Sequence, residues 1–137
     1  MDALPYVDVL LPNEREACLL AEETDSSKAI DILRQRVPLL VIKRGEAGAE
    51  AYTSGCRISS PALPLQVVDA VGAGDSFNAG FLHGFVRGWP IERTLSFGNL
   101  TGGWSTSARG GTTAFRGAEN LQAFQQAWLK IQAEASS

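Results

Sequence analysis

The residues best suited to chemistry lie in Gly72-Ala73-Gly74-Asp75, a glycine-rich stretch that joins the end of a strand pattern to the start of a helix pattern. A helix start carries unpaired N–H groups and the positive end of the helix dipole, so such a junction attracts anions. Glycine at 72 and 74 lets the backbone approach a ligand without a side chain in the way. Asp75 then has two readings. It caps the helix, as aspartate commonly does. Alternatively it is a general base beside a bound phosphoryl group, taking a proton from an attacking hydroxyl while the loop amides stabilise the developing charge. Two common phosphate motifs are absent: no Gly-x-x-x-x-Gly-Lys-Ser/Thr run occurs, and Phe77 stands where a dinucleotide fingerprint needs its third glycine.

The elements that must position this loop follow from the hydrophobic pattern. Val7 to Leu11 reads as a strand stopped by Pro12, and a helix follows with Asn13 as cap and Ala17, Leu19, Leu20 and Ala21 among charged residues. A second helix opens at Asp25-Ser26-Ser27, turns Ala29, Ile30, Ile32, Leu33 and Val37 to one side, and ends at Pro38. The apolar run Leu39 to Ile42 suggests a strand buried on both faces in a parallel sheet. Residues 49–52 and 57–60 read as a β-hairpin around a four-residue loop, and Leu65 to Val68 as a short strand. Helices are expected from the glycine loop to about Arg87, from Ile91 to Ser107, and from Glu119 to Ala133, with a glycine turn at Gly110-Gly111. This alternation implies an α/β fold.

Composition narrows the function classes. A chain of 137 residues with 45% hydrophobic content suits one globular domain and excludes disorder over most of its length. With 15 acidic and 12 basic residues it lacks the basic footprint of a nucleic-acid binder. One histidine, His83, and two cysteines, Cys18 and Cys56, cannot build a zinc cluster or a disulfide scaffold, so reduced thiols and a cytoplasmic setting are expected. No apolar run is long enough to span a bilayer, and no membrane partner is expected. His83 reads as structural, and Trp89, Trp104 and Trp128 as packing anchors rather than base-stacking platforms.

The segment Asp69-Ala70-Val71-Gly72-Ala73-Gly74-Asp75-Ser76-Phe77-Asn78-Ala79-Gly80-Phe81-Leu82 resembles the C-terminal signature of the ribokinase-like, or PfkB, family of carbohydrate kinases. Asn13-Glu14-Arg15-Glu16 matches that family's Asn-x-x-Glu motif. Lys43 to Gly48 resembles its nucleotide-contacting glycine turn, and Asn99 to Gly111 the segment that closes over the base. The resemblance implies a three-layer α/β/α sandwich with a mostly parallel sheet and a β-hairpin, and transfer of the ATP γ-phosphoryl group to a sugar or sugar-acid hydroxyl. Asp75 resembles the catalytic base, and the amides of Gly72, Ala73 and Gly74 the anion hole. Asn13 and Glu16 would help hold phosphates and hydrated magnesium. Lys43, Arg44, Gly45 and Gly48 would lie along the nucleotide, with Asn99 near the adenine or ribose. For a potassium ion the resemblance offers Asp69, Val71, Ser105, Ala108 and Gly110, although Ala70 and Ala114 depart from the family pattern and weaken that expectation.

Members of the family are roughly twice as long. The expectation is therefore that residues 1–137 form the C-terminal, nucleotide-binding half of a kinase domain, with the N-terminal sugar-binding and lid region absent and catalysis incomplete. The alternative is a non-catalytic nucleotide-binding or self-association module derived from a kinase. An exposed sheet edge and apolar face would favour a homo-oligomer, or pairing with a missing N-terminal half. ATP and a small sugar-like acceptor are the expected ligands.

Overall fold

The first strand begins only at Val9. A computed structural model describes residues 4–62, 73–106 and 117–135, in two compact units divided between Ser60 and Pro61. In the first unit a single 3-10 turn, Leu4–Tyr6, precedes β1 (Val9–Leu10) and α1 (Glu14–Ala21). There follow α2 (Ser26–Arg34), β2 (Leu39–Lys43), a 3-10 turn at Gly45–Ala47, β3 (Ala49–Thr53) and β4 (Cys56–Ser60).

The four described strands form one sheet in the order β1-β2-β3-β4. Only β1 and β2 run parallel; β3 is antiparallel to β2, and β4 to β3. Among the described residues, then, the parallel character expected of the sheet is confined to one pair, because the hairpin supplies the other strands. Leu40, Ile42 and Tyr52 share one face and pack with Ala17, Ala29, Ile30 and Leu33 of the two helices. Leu39, Val41, Ala49 and Ala51 are also buried, and strand alternation puts them on the opposite face. This confirms the two-sided burial expected of residues 39–42.

Three boundaries differ from the sequence reading. The strand expected over Val7 to Leu11 shrinks to two residues, Val9 and Leu10, which pair with Leu39 and Leu40. The second helix ends at Arg34 rather than at Pro38. A proline disfavours helical geometry in the residue before it, and Val37 instead follows the helix, bonding its N–H to Leu33 O (3.2 Å) while its side chain stays buried. The hairpin turn is two residues, Ser54 and Gly55, because Thr53 and Cys56 already pair; Gly55 takes φ +82°.

The second unit holds α3 (Ala73–Val86), α4 (Ile91–Thr106) and α5 (Ala118–Ala135), close to the three helices the sequence suggests. The expected strand Leu65 to Val68 and the Gly110-Gly111 turn lie outside the described residues. Four glycines set the approach of α3 to α4. A Cβ on Gly80 would overlap Thr101, one on Gly84 would meet the Trp89 ring at 2.7 Å, one on Gly98 the Phe77 ring at 2.9 Å, and one on Gly102 the Ala73 carbonyl at 3.1 Å. α5 attaches through aromatic rings: Trp128 stacks on Trp89 (5.9 Å) and meets Phe97 edge-on (4.8 Å), while Phe124 meets Phe97 (5.9 Å) and Trp104 (5.8 Å). The tryptophans are thus packing anchors. Among the described residues no helix is long and apolar enough to cross a membrane.

Candidate active site

In the first unit the candidate residues gather at the carboxyl ends of the parallel pair, where open α/β sheets place their ligands. Asn13 follows β1 and forms a bridge to Lys43, the last residue of β2, and Lys43 N–H donates to Pro12 O (3.0 Å). The Asn-x-x-Glu residues form a capping box. Asn13 Oδ1 accepts from Glu16 N–H (2.8 Å), and Glu16 Oε1 accepts from Asn13 N–H (2.9 Å). Two orphan donors of α1 are thereby satisfied. Both side chains are exposed, so the motif holds an accessible carboxylate at the positive end of the helix.

The glycine turn after β2 closes on itself. Arg44 N–H donates to Gly48 O (2.8 Å), Ala47 N–H to Arg44 O (3.0 Å) and Gly48 N–H to Gly45 O (3.0 Å). Gly45 and Gly48 have φ +56° and +91°, a region that side chains other than glycine's rarely tolerate. Open space surrounds a Cβ at Gly45, so backbone conformation, not crowding, selects glycine there.

Arg44 turns its guanidinium inward. Nη1 donates to Glu50 Oε1, and Arg57 Nε donates to Glu50 Oε2, as does the Tyr52 hydroxyl (3.1 Å). Glu50 is only 7% exposed. Burial pushes its carboxyl up, but hydrogen bonds from Arg57 and Tyr52 and the charges of Arg44 and Arg57 outweigh that effect and hold it below the usual carboxylate range. Tyr52 moves the other way: burial and its bond to Glu50 raise the phenol. Arg34 stacks over the same Tyr52 ring (4.9 Å).

In the second unit Asp75 lies in the first turn of α3 and is exposed. Because the helix already includes Ala73, Asp75 stands inside its first turn rather than at the N-cap position. The residues beside Asp75 are held firmly. Thr101 Oγ1 donates to Ser76 O (2.7 Å), and Gly102 leaves room for the Ala73 carbonyl and the Phe77 backbone. The first N–H groups of a helix have no acceptor within it. Asn99 is buried in α4 with Nδ2 donating to Pro61 O (3.2 Å), and Ser105 Oγ donates to Gly102 O (2.7 Å). Gly72, Asp69, Val71, Ala108 and Gly110 lie outside the described residues. His83 packs against Trp89 and Phe97, at 5.3 Å from each. Burial first, and then the Arg87 charge, lower its pKa.

The sequence reading passed over Thr101, Glu50, Arg57 and Tyr52, and over the role of the helix glycines. For the glycines a signal existed: Gly80 and Gly84, and Gly98 and Gly102, are each four residues apart, a spacing that puts both members on one helix face. For Glu50 there was none, since a lone carboxylate in a short strand gives no sign of its cross-strand partners.

Residues 1–116 match the family described as pfkB family carbohydrate kinase. The chain belongs to that family. A cytidine kinase of Thermococcus kodakarensis is 41% identical over 96 residues, covering 67% of this chain and 34% of its own length. The Bacillus subtilis ribokinase is 31% identical over 80% of this chain and 36% of its own length. Among solved structures, a probable sugar kinase from Rhizobium etli superposes with a TM-score of 0.80 at 28% identity, over 92% of this chain and 38% of that one. Arabidopsis thaliana ribokinase, complexed with ribose and ATP, superposes with a TM-score of 0.77 at 27% identity, over 88% of this chain and 41% of that one. The fold is the ribokinase-like α/β fold. The pfkB chain spans a little over a third of the length of the curated relatives it matches.

Proposed function

We propose that this pfkB chain is the C-terminal, nucleotide-binding portion of a kinase that transfers the ATP γ-phosphoryl group to a sugar hydroxyl. The observation that carries the reading is the start of α3: an exposed aspartate in a helix first turn, in a turn pinned by Thr101 and by the Gly102 contact. In the reaction Asp75 accepts the proton of the acceptor hydroxyl, the oxygen forms a bond to the γ-phosphorus, and the bond from that phosphorus to the bridging oxygen breaks to release ADP. The Ala73 and Gly74 amides, with Gly72 beside them, stabilise charge on the transferring group. Such transfer depends on positioning and charge neutralisation more than on covalent chemistry.

Lys43, Gly45 and Gly48 line the nucleotide in this reading, with Asn13 toward the phosphates and Asn99 toward the base or ribose. The donor set suits hydrated magnesium. Glu16 offers one accessible carboxylate, and magnesium takes few protein carboxylates when phosphates and water supply its other ligands. Bound there, magnesium would neutralise phosphate charge, and Glu16 would help hold it through water. Of the residues offered for potassium, Asp69, Val71, Ala108 and Gly110 lie outside the described residues, and no step here depends on that ion.

An Escherichia coli putative ribokinase II in complex with ATP and Mg2+, 26% identical to this chain with a TM-score of 0.78, supports the choice of nucleotide and metal. The relatives include ribokinase, fructokinase and cytidine kinase, which supports a sugar hydroxyl as acceptor, free or within a nucleoside. The test is acceptor-dependent ADP release, measured with the chain alone and with a relative's N-terminal half supplied. Asp75→Asn is expected to lower it by a factor on the order of 10² to 10⁴. Equal rates for the variant and the parent would contradict the assignment.

A further inference from the structure

The Arg44 side chain fits poorly with direct phosphate contact. Its Nη1 is bonded to the buried carboxylate of Glu50. Its Nε is buried with no hydrogen-bond partner and lies 3.8 Å from Glu14 Oε1. The guanidinium therefore spans two carboxylates on different elements: Glu50 on β3, and Glu14 in the first turn of α1, next to the Asn13 cap. The Arg44 backbone meanwhile makes two of the three hydrogen bonds that close the glycine turn. One residue thus ties three parts together: the α1 start, the glycine turn and β3, the first strand of the hairpin.

Geometry makes that tie stiff. Glu50 stands opposite Ile42 in the β2–β3 ladder, one pair away from Lys43 and Ala49, so its backbone is fixed by the sheet. Both of its oxygens are occupied, by Arg44 on one side and by Arg57 and Tyr52 on the other. A buried carboxylate held in this way cannot swing, and charge-assisted bonds are the strong ones. Removing its charge would leave the Arg44 guanidinium with only Glu14, whose side chain is half exposed, a weak partner in water.

We propose that Glu50 is a positioning residue for nucleotide binding: it fixes Arg44, and through Arg44 it sets the Gly45–Gly48 turn against the Asn13–Glu16 helix start. The inference rests on the nucleotide-binding reading above. In this arrangement Arg44 serves the nucleotide through its backbone, and its side chain is a brace.

Two measurements on the full chain test the proposal, and the first needs no nucleotide. Amide hydrogen exchange of Arg44, Ala47 and Gly48 is compared for the parent chain, Glu50→Gln and Arg57→Gln. Glu50→Gln is expected to speed exchange at these amides at least tenfold while Leu40 and Val41 in β2 keep their protection; Arg57→Gln should change the turn less than twofold. Unchanged turn protection in Glu50→Gln would overturn the brace. If that variant fails to fold, Arg44→Lys replaces it, since lysine keeps the charge but cannot span both carboxylates, and the same tenfold loosening is expected.

The second measurement is the dissociation constant for Mg-ATP in Glu50→Gln, Arg44→Ala and the double variant. Each single change is expected to weaken binding about tenfold, and the double variant no further, because both act through one brace. Additive losses, or a loss in Arg44→Ala that Glu50→Gln does not share, would mean that Arg44 meets the phosphate directly and would overturn the proposal. Absence of binding by the parent chain would refute the nucleotide-binding reading and the nucleotide role of the brace with it, while the exchange experiment would still decide whether the brace exists.

Discussion

The two units hold their candidate site residues by different physics. In residues 4–60 the support is charge and hydrogen bonding: a capping box at Asn13 and Glu16, and a buried carboxylate, Glu50, gripped by two arginines and a tyrosine. In the second unit the support is shape. Glycines let α3 and α4 meet backbone to side chain, one hydroxyl bond from Thr101 locks the turn that carries Asp75, and an aromatic cluster anchors α5. Charge networks tolerate changes of volume but fail when a partner or a proton changes; close packing fails when a methyl group is added.

Three perturbations sharpen the contrast. The largest effect is expected from Gly80→Val, whose side chain would collide with Thr101. It should destabilise the second unit by about 3 kcal/mol, read by urea unfolding followed through tryptophan fluorescence, because all three tryptophans lie in that unit. Next is Asn13→Ala, which removes a cap from the first unit and should cost about 1 kcal/mol. Amide exchange in α1 reports it, with tryptophan fluorescence unmoved at fixed urea.

The smallest effect comes from acid. Glu50 titrates lower in the folded chain than its ordinary value of 4.5, so its contribution to stability is present above about pH 4.5 and is lost as pH falls through the lower folded value. His83 is likewise lowered from 6.5; its contribution is present above about pH 6.5 and falls as pH drops toward its folded value. On titration from pH 8 to pH 3, loosening of the second unit is expected to begin below pH 6.5, and loosening of the β3 amides around Glu50 only below pH 4.5. A single transition common to both would erase the distinction.

Much of this was legible in the residues. The α1 cap, the buried β2 run and all three later helices follow from local signals: a capping residue, an uninterrupted apolar stretch, and glycine or proline at helix ends. The catalytic candidate was legible too, because Gly72-Ala73-Gly74-Asp75 at the junction of a strand pattern and a helix pattern restricts the chemistry on its own. That Asp75 stands inside the first turn rather than at the N-cap emerged only with the helix register. The supports were hidden for a common reason: Glu50 with Arg44 and Arg57, and Thr101 with Ser76, are partnerships across elements, and their spacing in the chain follows from the fold rather than from any local period. The antiparallel majority among the described strands was likewise present in the hairpin sequence, although its weight in a four-stranded sheet emerges only once the pairing is known.

The claim at the centre of the account is that this chain carries the nucleotide half of a pfkB phosphoryl-transfer site. Calorimetric titration of Mg-ATP into the chain tests it most directly. Saturable heat with one site per chain, weakened when magnesium is chelated, is the expected result. No heat and no thermal shift at millimolar nucleotide would contradict it.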